Sequence, residues 1–249
     1  MTGVVAAIGR AGIVMVRSVA CFPAVLVRGT GRADLFRQLY ATGIRTLPVI
    51  TVVALFTGMI LSLQVGLELA RFNQEAYLGA AVMLTLIREM APFSCGICLA
   101  AMVGSAIAAE LGTMKVNDEL DALLIMGIPP VRFLAAPRVF ALVLMAPLLS
   151  FYCCILGTVG GGLVGATQLD VDFGQYMASA MTMATVKDLS VGLMKALAFG
   201  LLIGTISVTE GFSTRRGATG VGKATQGAVI VSFLAILVFG YMITRACYR

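Results

Sequence analysis

The chain has 249 residues, of which 59% are hydrophobic and 12% are charged, and its mean hydropathy is +0.99. In soluble domains about a quarter of the residues are charged, so this composition excludes a soluble protein and predicts an integral membrane protein. The net charge of +6 does not indicate nucleic-acid binding, because the basic residues cluster in the segments between apolar runs.

Long apolar runs predict that the chain crosses the membrane as helices. Each run has about 20 residues or more, whereas a strand of a membrane barrel needs only about ten residues of alternating character. The predicted fold class is therefore an all-α integral membrane protein with five transmembrane helices. The five spans are predicted at residues 46–69, 76–109, 139–166, 189–208 and 226–244.

The first 45 residues are predicted to form helices that lie in the membrane interface. They contain six arginines and one acidic residue, Asp34, interleaved with apolar residues, which is typical of interfacial amphipathic helices. Gly29 and Gly31 divide this segment into two pieces. We therefore divide the chain into interfacial helices at 1–45 and a single transmembrane domain at 46–249.

Two adjacent ionisable residues, Arg88 and Glu89, lie in the second predicted span. Ionisable groups inside a span are costly and usually face a cavity, a partner or the interface. We interpret the pair as part of the mouth of a substrate cavity. The alternative is that both side chains simply extend to the outer interface. Gln64, in the first span, is a weaker indication of the same cavity.

Small residues recur at every fourth position in two spans. Such ridges let the backbone of another helix approach closely. The first ridge consists of Gly96, Ala100, Gly104, Ala108 and Gly112, and the second consists of Gly157, Gly161 and Gly165.

A polar segment at residues 110–130, between the second and third spans, is predicted to contain a short helix. Asn117 is the expected N-cap, acidic residues follow it where the helix dipole favours them, and Gly127 ends the helix. Leucines at i, i+3 and i+4 form one face, so the helix is interpreted as a docking element. The leucines are Leu120, Leu123 and Leu124, and the acidic residues on the other side are Asp118, Glu119 and Asp121.

The distribution of lysine and arginine predicts that the N-terminus and the polar segment are cytoplasmic. With this orientation the inner segments 1–45, 110–138 and 209–225 contain six, three and three basic residues, whereas the outer loops contain only Arg71 and Lys187. Two further arginines near the outer C-terminus do not reverse the bias.

A near match to the phosphate-binding loop occurs at residues 217–224. The match fails at Ala224, where a hydroxyl is needed for Mg²⁺, and no buried strand precedes it. The chain also has no histidine and no acidic cluster within a span, so the sequence does not indicate a metal-dependent enzyme. We expect no cofactor on this chain, and any ATP must be bound by another chain.

Four stretches around the second span and the polar segment carry a family resemblance. They are Ile87-Arg-Glu-Met-Ala-Pro92, Val103-Gly-Ser-Ala-Ile-Ala-Ala-Glu-Leu-Gly-Thr-Met-Lys-Val116, Leu120-Asp-Ala-Leu-Leu-Ile-Met-Gly-Ile-Pro-Pro-Val-Arg132 and Pro137-Arg138. These stretches closely resemble the MlaE/YrbE permeases of ABC-type lipid transporters, which work with MCE proteins. Looser similarity at 37–43, 58–64 and 217–225 extends the resemblance to nearly the whole chain.

The resemblance implies a permease subunit, not an enzyme, that moves a phospholipid or another hydrophobic lipid between the bacterial inner membrane and a periplasmic MCE-domain protein. Two such chains, identical or paralogous, would form a dimer. Separate cytoplasmic ABC ATPase subunits would bind ATP and Mg²⁺.

The resemblance also implies roles for individual residues. The family's lipid cavity corresponds here to Met59, Leu63, Gln64, Arg88 and Glu89. The coupling helix that docks on the ATPase falls within the polar segment, and its implied contact residues are Glu110, Asp118, Glu119, Leu120, Leu123, Leu124 and Met126.

The chain departs from the family pattern in two places. Ala101 and Met102 stand where the family usually has Gly-Arg, and Ala91 replaces the glycine that usually precedes Pro92. The missing arginine removes a contact that could reach a lipid headgroup or another helix.

Two other functions compete with the lipid permease. An ion-coupled secondary transporter would show internal repeats and broken helices at corresponding positions, and the five spans show no evident halves. A non-transporting membrane scaffold stays open as the second alternative.

Overall fold

The computed structural model describes residues 29–215 and 217–248. Most of the predicted interfacial segment, residues 1–28, lies outside these ranges. The described part of the chain contains ten α-helices and no β-strand. In chain order the helices are α1 (Gly29–Gly43), α2 (Leu47–Arg71), α3 (Leu78–Thr85), α4 (Ala91–Leu99), α5 (Ser105–Val116), α6 (Glu119–Ile125), α7 (Ala136–Gln168), α8 (Phe173–Met183), α9 (Val186–Phe212) and α10 (Gly217–Cys247).

Short stretches of other helix types connect several of these helices. A 3₁₀ turn at Glu75–Tyr77 precedes α3. Turns of π-helix at Leu86–Met90 and Ala100–Gly104 join α3 to α4 and α4 to α5, and a third at Val131–Ala135 leads into α7. The second span is therefore one long helical segment with two widened turns.

Five helical segments are long and apolar enough to cross a membrane, which confirms the predicted fold class. They are Asp34–Arg71, Glu75–Val116, Val131–Gln168, Val186–Phe212 and Gly217–Cys247. Each is longer than its prediction from hydropathy, because the helices continue into polar residues at their ends.

The segment between the third and fourth predicted spans, residues 167–188, contains a helix that was not predicted, α8. Asp172 caps this helix, since its carboxylate accepts a hydrogen bond from the backbone N–H of Gln175 at 3.0 Å. Tyr176 and Ala180, four residues apart, are buried on one face. Burial of this face stabilises the helix between the two spans.

The predicted basic loop at 209–225 is also too long, because α9 ends at Phe212 and α10 begins at Gly217. The buried stripe of α10 starts at Ala224 and continues through Ala228, Ser232 and Ile236. Its packing therefore begins inside the segment that was predicted to be a loop.

The described residues group into two compact units. The first unit contains residues 29–46, 97–145 and 197–239, and the second contains residues 47–96, 146–196 and 240–248.

The second unit packs its helices through small residues. In α2 every fourth residue is buried, from Ile50 through Ala54, Gly58 and Ser62 to Gly66. A Cβ atom at Gly58 would collide with the carbonyl group of Gly157 in α7, and one at Gly161 would meet the Tyr176 hydroxyl. The predicted glycine ridge of α7 is thus a close helix–helix contact.

The first unit uses the other predicted ridge in the same way. A Cβ atom at Gly104 would meet Ser207 and Ile203 of α9, and one at Gly112 would meet Thr214. Gly211 of α9 in turn lies against Ala108 of α5. Small residues on both helices allow this close packing.

Candidate functional site

Arg88 and Glu89 form the centre of a polar cluster in the second unit. They lie in the π-turn Leu86–Met90, and each pairs with a residue of α9. Arg88 Nε lies 2.7 Å from Asp188 Oδ1, and Glu89 Oε1 lies 2.7 Å from Lys195 Nζ. Asp188 and Lys195 are seven residues apart and share one face of α9. Two adjacent charges on one helix thus meet two opposite charges on another.

Lys195 is buried, with 1% of its side chain exposed, and two acceptor groups explain how its ammonium is accommodated. Its Nζ donates to Glu89 Oε1 and also to the backbone carbonyl of Arg88, both at 2.7 Å. Pro92 has no N–H to donate to that carbonyl four residues earlier, so the ammonium supplies a donor. Thr244 of α10 donates to the same Glu89 oxygen at 2.8 Å.

Asp188 accepts hydrogen bonds from three side chains. These are Arg88 at 2.7 Å, Thr185 at 2.6 Å and the Tyr248 hydroxyl at 2.9 Å. Burial, and the hydrogen bond to Asp188, raise the pKa of Tyr248 to about 12, so this hydroxyl is a neutral donor at physiological pH. The Arg88 guanidinium also lies 4.6 Å from the centre of the Tyr248 ring, within the range of a cation–π contact.

The cluster keeps some charged surface exposed. The side chains of Arg88 and Glu89 are each partly exposed, whereas their partners Asp188 and Lys195 are buried. The buried charges therefore position the exposed ones. Such an arrangement is suited to non-covalent recognition of a polar group, because a donor and an acceptor are both held in fixed orientations.

The sequence identified Arg88 and Glu89 but missed their partners. Lys195 lies inside the predicted fourth span, and an ionisable residue there is itself an indication of a functional or paired site. Asp188 and Lys195 are seven residues apart, so they share a helix face, and their charges are opposite to those of Arg88 and Glu89. Thr244 and Tyr248 carry no comparable signal.

The other predicted cavity residues lie on α2, away from its buried stripe. Gln64 is exposed, and Met59 and Leu63 are half-buried. Within the described residues no hydrogen bond links Gln64 to Arg88 or Glu89. The structure therefore places these residues on an accessible side of α2 but does not bring them into polar contact with the cluster.

The predicted docking helix exists as α6, but its start differs from the prediction. Asn117 is the last residue of the preceding helical turn, not the N-cap. Asp118 precedes α6 with a positive φ of 59°, and its side chain makes no capping hydrogen bond. The reversal between α5 and α6 needs a left-handed residue, and aspartate tolerates that conformation better than most residues.

The end of α6 is as predicted. Gly127 adopts a φ of 73°, its N–H donates to the carbonyl of Leu124, and the N–H of Ile128 donates to the carbonyl of Leu123. This pair of bonds is a Schellman motif, which glycine favours because of the left-handed backbone.

One side of α6 is held by the chain and the other is exposed. Leu120 is buried, and Asp121 pairs with Lys115 of α5 at 3.0 Å. By contrast Leu124, Ile125 and Met126 are 57%, 88% and 64% exposed. Three consecutive exposed apolar residues are unusual unless a partner covers them.

The other residues predicted to contact the ATPase are spread over α5 and α6. Glu110 lies in α5 and not in α6, and its carboxylate pairs with Arg138 of α7 at 2.7 Å. Asp118 and Glu119 are exposed at the start of α6, and Leu123 is half-buried. Ile125, the most exposed residue of α6, was not among the predicted contacts.

Five spans, a polar cluster built on buried charges and a short helix with an exposed apolar side between two spans define a class of protein: a polytopic membrane transport subunit. Comparison with known proteins agrees. Residues 35–246 match the family model described as Permease MlaE. The chain belongs to the MlaE permease family, and several similar proteins are named as probable ABC transporter permeases.

Three relatives illustrate the breadth of the family. A probable ABC transporter permease protein of Rickettsia typhi is 37% identical over 215 residues, which cover 86% of this chain and 83% of the relative. The intermembrane phospholipid transport system permease protein MlaE of Haemophilus influenzae is 31% identical over 246 residues, covering 97% and 92%. The chloroplastic protein Trigalactosyldiacylglycerol 1 of Arabidopsis thaliana is 32% identical over 213 residues, covering 86% and 61%.

Proposed function

We propose that this permease moves a phospholipid or a similar lipid between the bacterial inner membrane and a periplasmic MCE-domain protein. ATP hydrolysis in separate ABC ATPase subunits would drive the movement, and those subunits would hold ATP and Mg²⁺. Membership in the MlaE family and the name of the Haemophilus relative support a phospholipid cargo.

The exposed apolar side of α6 is the observation that best supports coupling to an ATPase. Leu124, Ile125 and Met126 have no cover within the described chain, and α6 joins the second and third spans. Closure of the ATPase subunits would push on α6 and, through α5 and α7, on these two spans. The small-residue ridges would allow neighbouring helices to slide during this movement.

The exposed parts of Arg88 and Glu89 are suited to the polar headgroup of the cargo. The guanidinium can donate to a phosphate, and Glu89 can accept from an amine or a hydroxyl group. Met59, Leu63 and Gln64 on α2 would contact the rest of the lipid. The opposite charges of Asp188 and Lys195 on α9 compensate for hydration that Arg88 and Glu89 would lose in an apolar site.

Charge and exposure support an arrangement of the chain in the membrane. The excess of basic residues at 1–45, 110–138 and 209–225 supports a cytoplasmic N-terminus and a cytoplasmic α6. The first and last spans are the least buried of the five, so their apolar faces are available to lipid or to a second subunit. A dimer of identical or paralogous chains would cover part of this surface.

The decisive experiment replaces Leu124 with aspartate and measures how much ATPase co-purifies with the permease. We expect the ATPase to be lost, because a charge would enter an apolar contact. Val186→Asp is the matched control, since Val186 is 85% exposed but lies at the start of α9. Equal ATPase recovery from Leu124→Asp and the control would contradict the docking assignment.

Lipid-stimulated ATP hydrolysis by the intact complex tests the transport function itself. Stimulation by phospholipid is expected in the complex and should be reduced in Glu89→Ala. A complex that contains the ATPase but shows no response to any lipid would contradict lipid transport.

A further inference from the structure

The first unit contains a cleft of about 630 Å³ that is separate from the polar cluster. It is lined by α1 with the residues that follow it, by the second span from Met102 to Met114, and by the start of the third span. Its size falls within the range of small-molecule sites in proteins. Its charged and amide-bearing lining residues are Asp34, Arg37, Gln38, Arg45, Glu110 and Arg138.

Arg138 forms the inner part of this cleft. The residue is only 4% exposed, its Nη2 pairs with Glu110 at 2.7 Å, and its Nη1 donates to the carbonyl of Leu134 at 3.3 Å. Its Nε–H is buried without a hydrogen-bond partner in the described chain. A buried guanidinium N–H that lacks an acceptor is unfavourable, so the site holds more donor capacity than the protein satisfies.

Arg37 and Arg45 supply further positive charge to the same cleft. Both are exposed, and neither takes part in an ion pair with another described residue. Of the two acidic lining residues, Glu110 is already paired with Arg138, and Asp34 forms no ion pair with another described residue. Arginine binds phosphate well, because its planar guanidinium donates two parallel hydrogen bonds.

The rest of the cleft is apolar. Met102, Ile107 and Phe133 are among the side chains that line it. A basic opening beside an apolar wall fits an amphiphile with a phosphate at one end. A soluble anion would use only the basic part.

We propose that this cleft binds the phosphate headgroup of a membrane phospholipid, with Arg37 and Arg45 holding the phosphate and the apolar wall contacting the first part of the acyl chains. The site differs from the cargo site around Glu89, and it does not depend on which molecule the permease transports. Because α5 and α7 flank α6, a lipid bound beside Glu110 and Arg138 stabilises the base from which α6 projects.

The test measures binding of phosphatidylglycerol to the purified full-length protein by native mass spectrometry in detergent. In the Arg37→Ala/Arg45→Ala variant we expect affinity to fall at least about tenfold, because two charge-assisted contacts are lost. Both residues are exposed, so folding should be unaffected, and an unchanged melting temperature checks this.

Two matched variants separate this site from general attraction to the protein surface. Arg71→Ala removes an exposed arginine that pairs with Glu68 elsewhere, and it should leave binding unchanged. Asp34→Asn removes an acidic charge from the lining of the cleft, and it should tighten binding of the anionic lipid. Lipid binding that is equal in all the variants and the unmodified protein would overturn the proposal.

Inorganic phosphate distinguishes a lipid headgroup from a free anion. We expect millimolar phosphate to compete only weakly with phosphatidylglycerol, because it makes no contact with the apolar wall. Displacement of the lipid by phosphate at equal concentration would show that the cleft is a free-anion site and would contradict the lipid assignment.

Discussion

The polar cluster and helix α6 differ in where their side chains find partners. In the cluster, Arg88 and Glu89 pair with Asp188 and Lys195 within the chain, over distances of 2.7 Å. On α6, apolar side chains such as Ile125 remain exposed. The paired charges of the cluster contribute to folding. The exposed apolar surface of α6 remains available for contact with another molecule.

This difference follows from the surroundings of each region. A buried charge inside a membrane span, such as Asp188 or Lys195, must be compensated locally, because water does not reach it. Helix α6 has seven residues, too few for a stable isolated helix, and is held by Leu120 and by the pair between Lys115 and Asp121. Its outer face is therefore free to be optimised for a partner.

The largest expected effect on stability comes from Glu89→Gln. This change leaves the buried Lys195 ammonium without its carboxylate, and removal of one partner of a buried pair typically costs about 3–5 kcal/mol. Because Glu89 itself is partly exposed, we expect the lower end of this range. Thermal unfolding in detergent measures the loss.

Two controls accompany this variant. Adding Lys195→Met removes the unpaired charge and should restore much of the lost stability. Glu68→Gln breaks a pair with Arg71 in which both side chains are mostly exposed, and its melting temperature should not change measurably. Similar losses in both single variants would mean that burial of Lys195 is not what makes the pair important.

The sequence predicted the spans well because hydropathy is a local property. It also identified Arg88 and Glu89, since charges stand out in an apolar run. Their partners lie about 100 residues further along the chain, and nothing in the local pattern specifies that α9 packs beside the second span. Asp188 was assigned to a loop for the same reason: its burial depends on Arg88 and Tyr248.

The errors in predicting the start and the faces of α6 have a different cause. Asn117 has a suitable side chain for an N-cap, but α5 extends to Val116, so the chain must reverse at once. That reversal places Asp118, not Asn117, directly before the new helix. Similarly, an i, i+3, i+4 pattern groups Leu120 with Leu124, whereas the short helix buries one and exposes the other.

A smaller effect is expected from Tyr248→Phe, which removes one of the donors to Asp188. Hydrogen bonds to charged groups contribute about 1.5–3 kcal/mol when buried, and we expect about 1 kcal/mol here because Tyr248 is half-buried. The pKa of this hydroxyl is raised from 10.0 to about 12, so its contribution is complete below pH 10 and is lost as pH rises through 12.

The difference in melting temperature between Tyr248→Phe and the unmodified protein should therefore be constant from pH 6 to 9. A difference that disappears within this range would show that the hydroxyl ionises early and that the hydrogen bond to Asp188 does not set its pKa.

The smallest effect on stability is expected from Ile125→Ser, which tests the other side of the comparison. Ile125 is 88% exposed in the chain alone, so the free energy of unfolding should change by less than about 0.5 kcal/mol. Binding of the ATPase should nevertheless weaken, because an apolar contact at an interface is replaced by a polar group.

Ala122→Ser, an exposed position in the same helix, is the control for helix propensity. If Ile125→Ser lowers the melting temperature as much as Glu89→Gln does, then α6 is part of the folded core and its exposed face is not a docking surface.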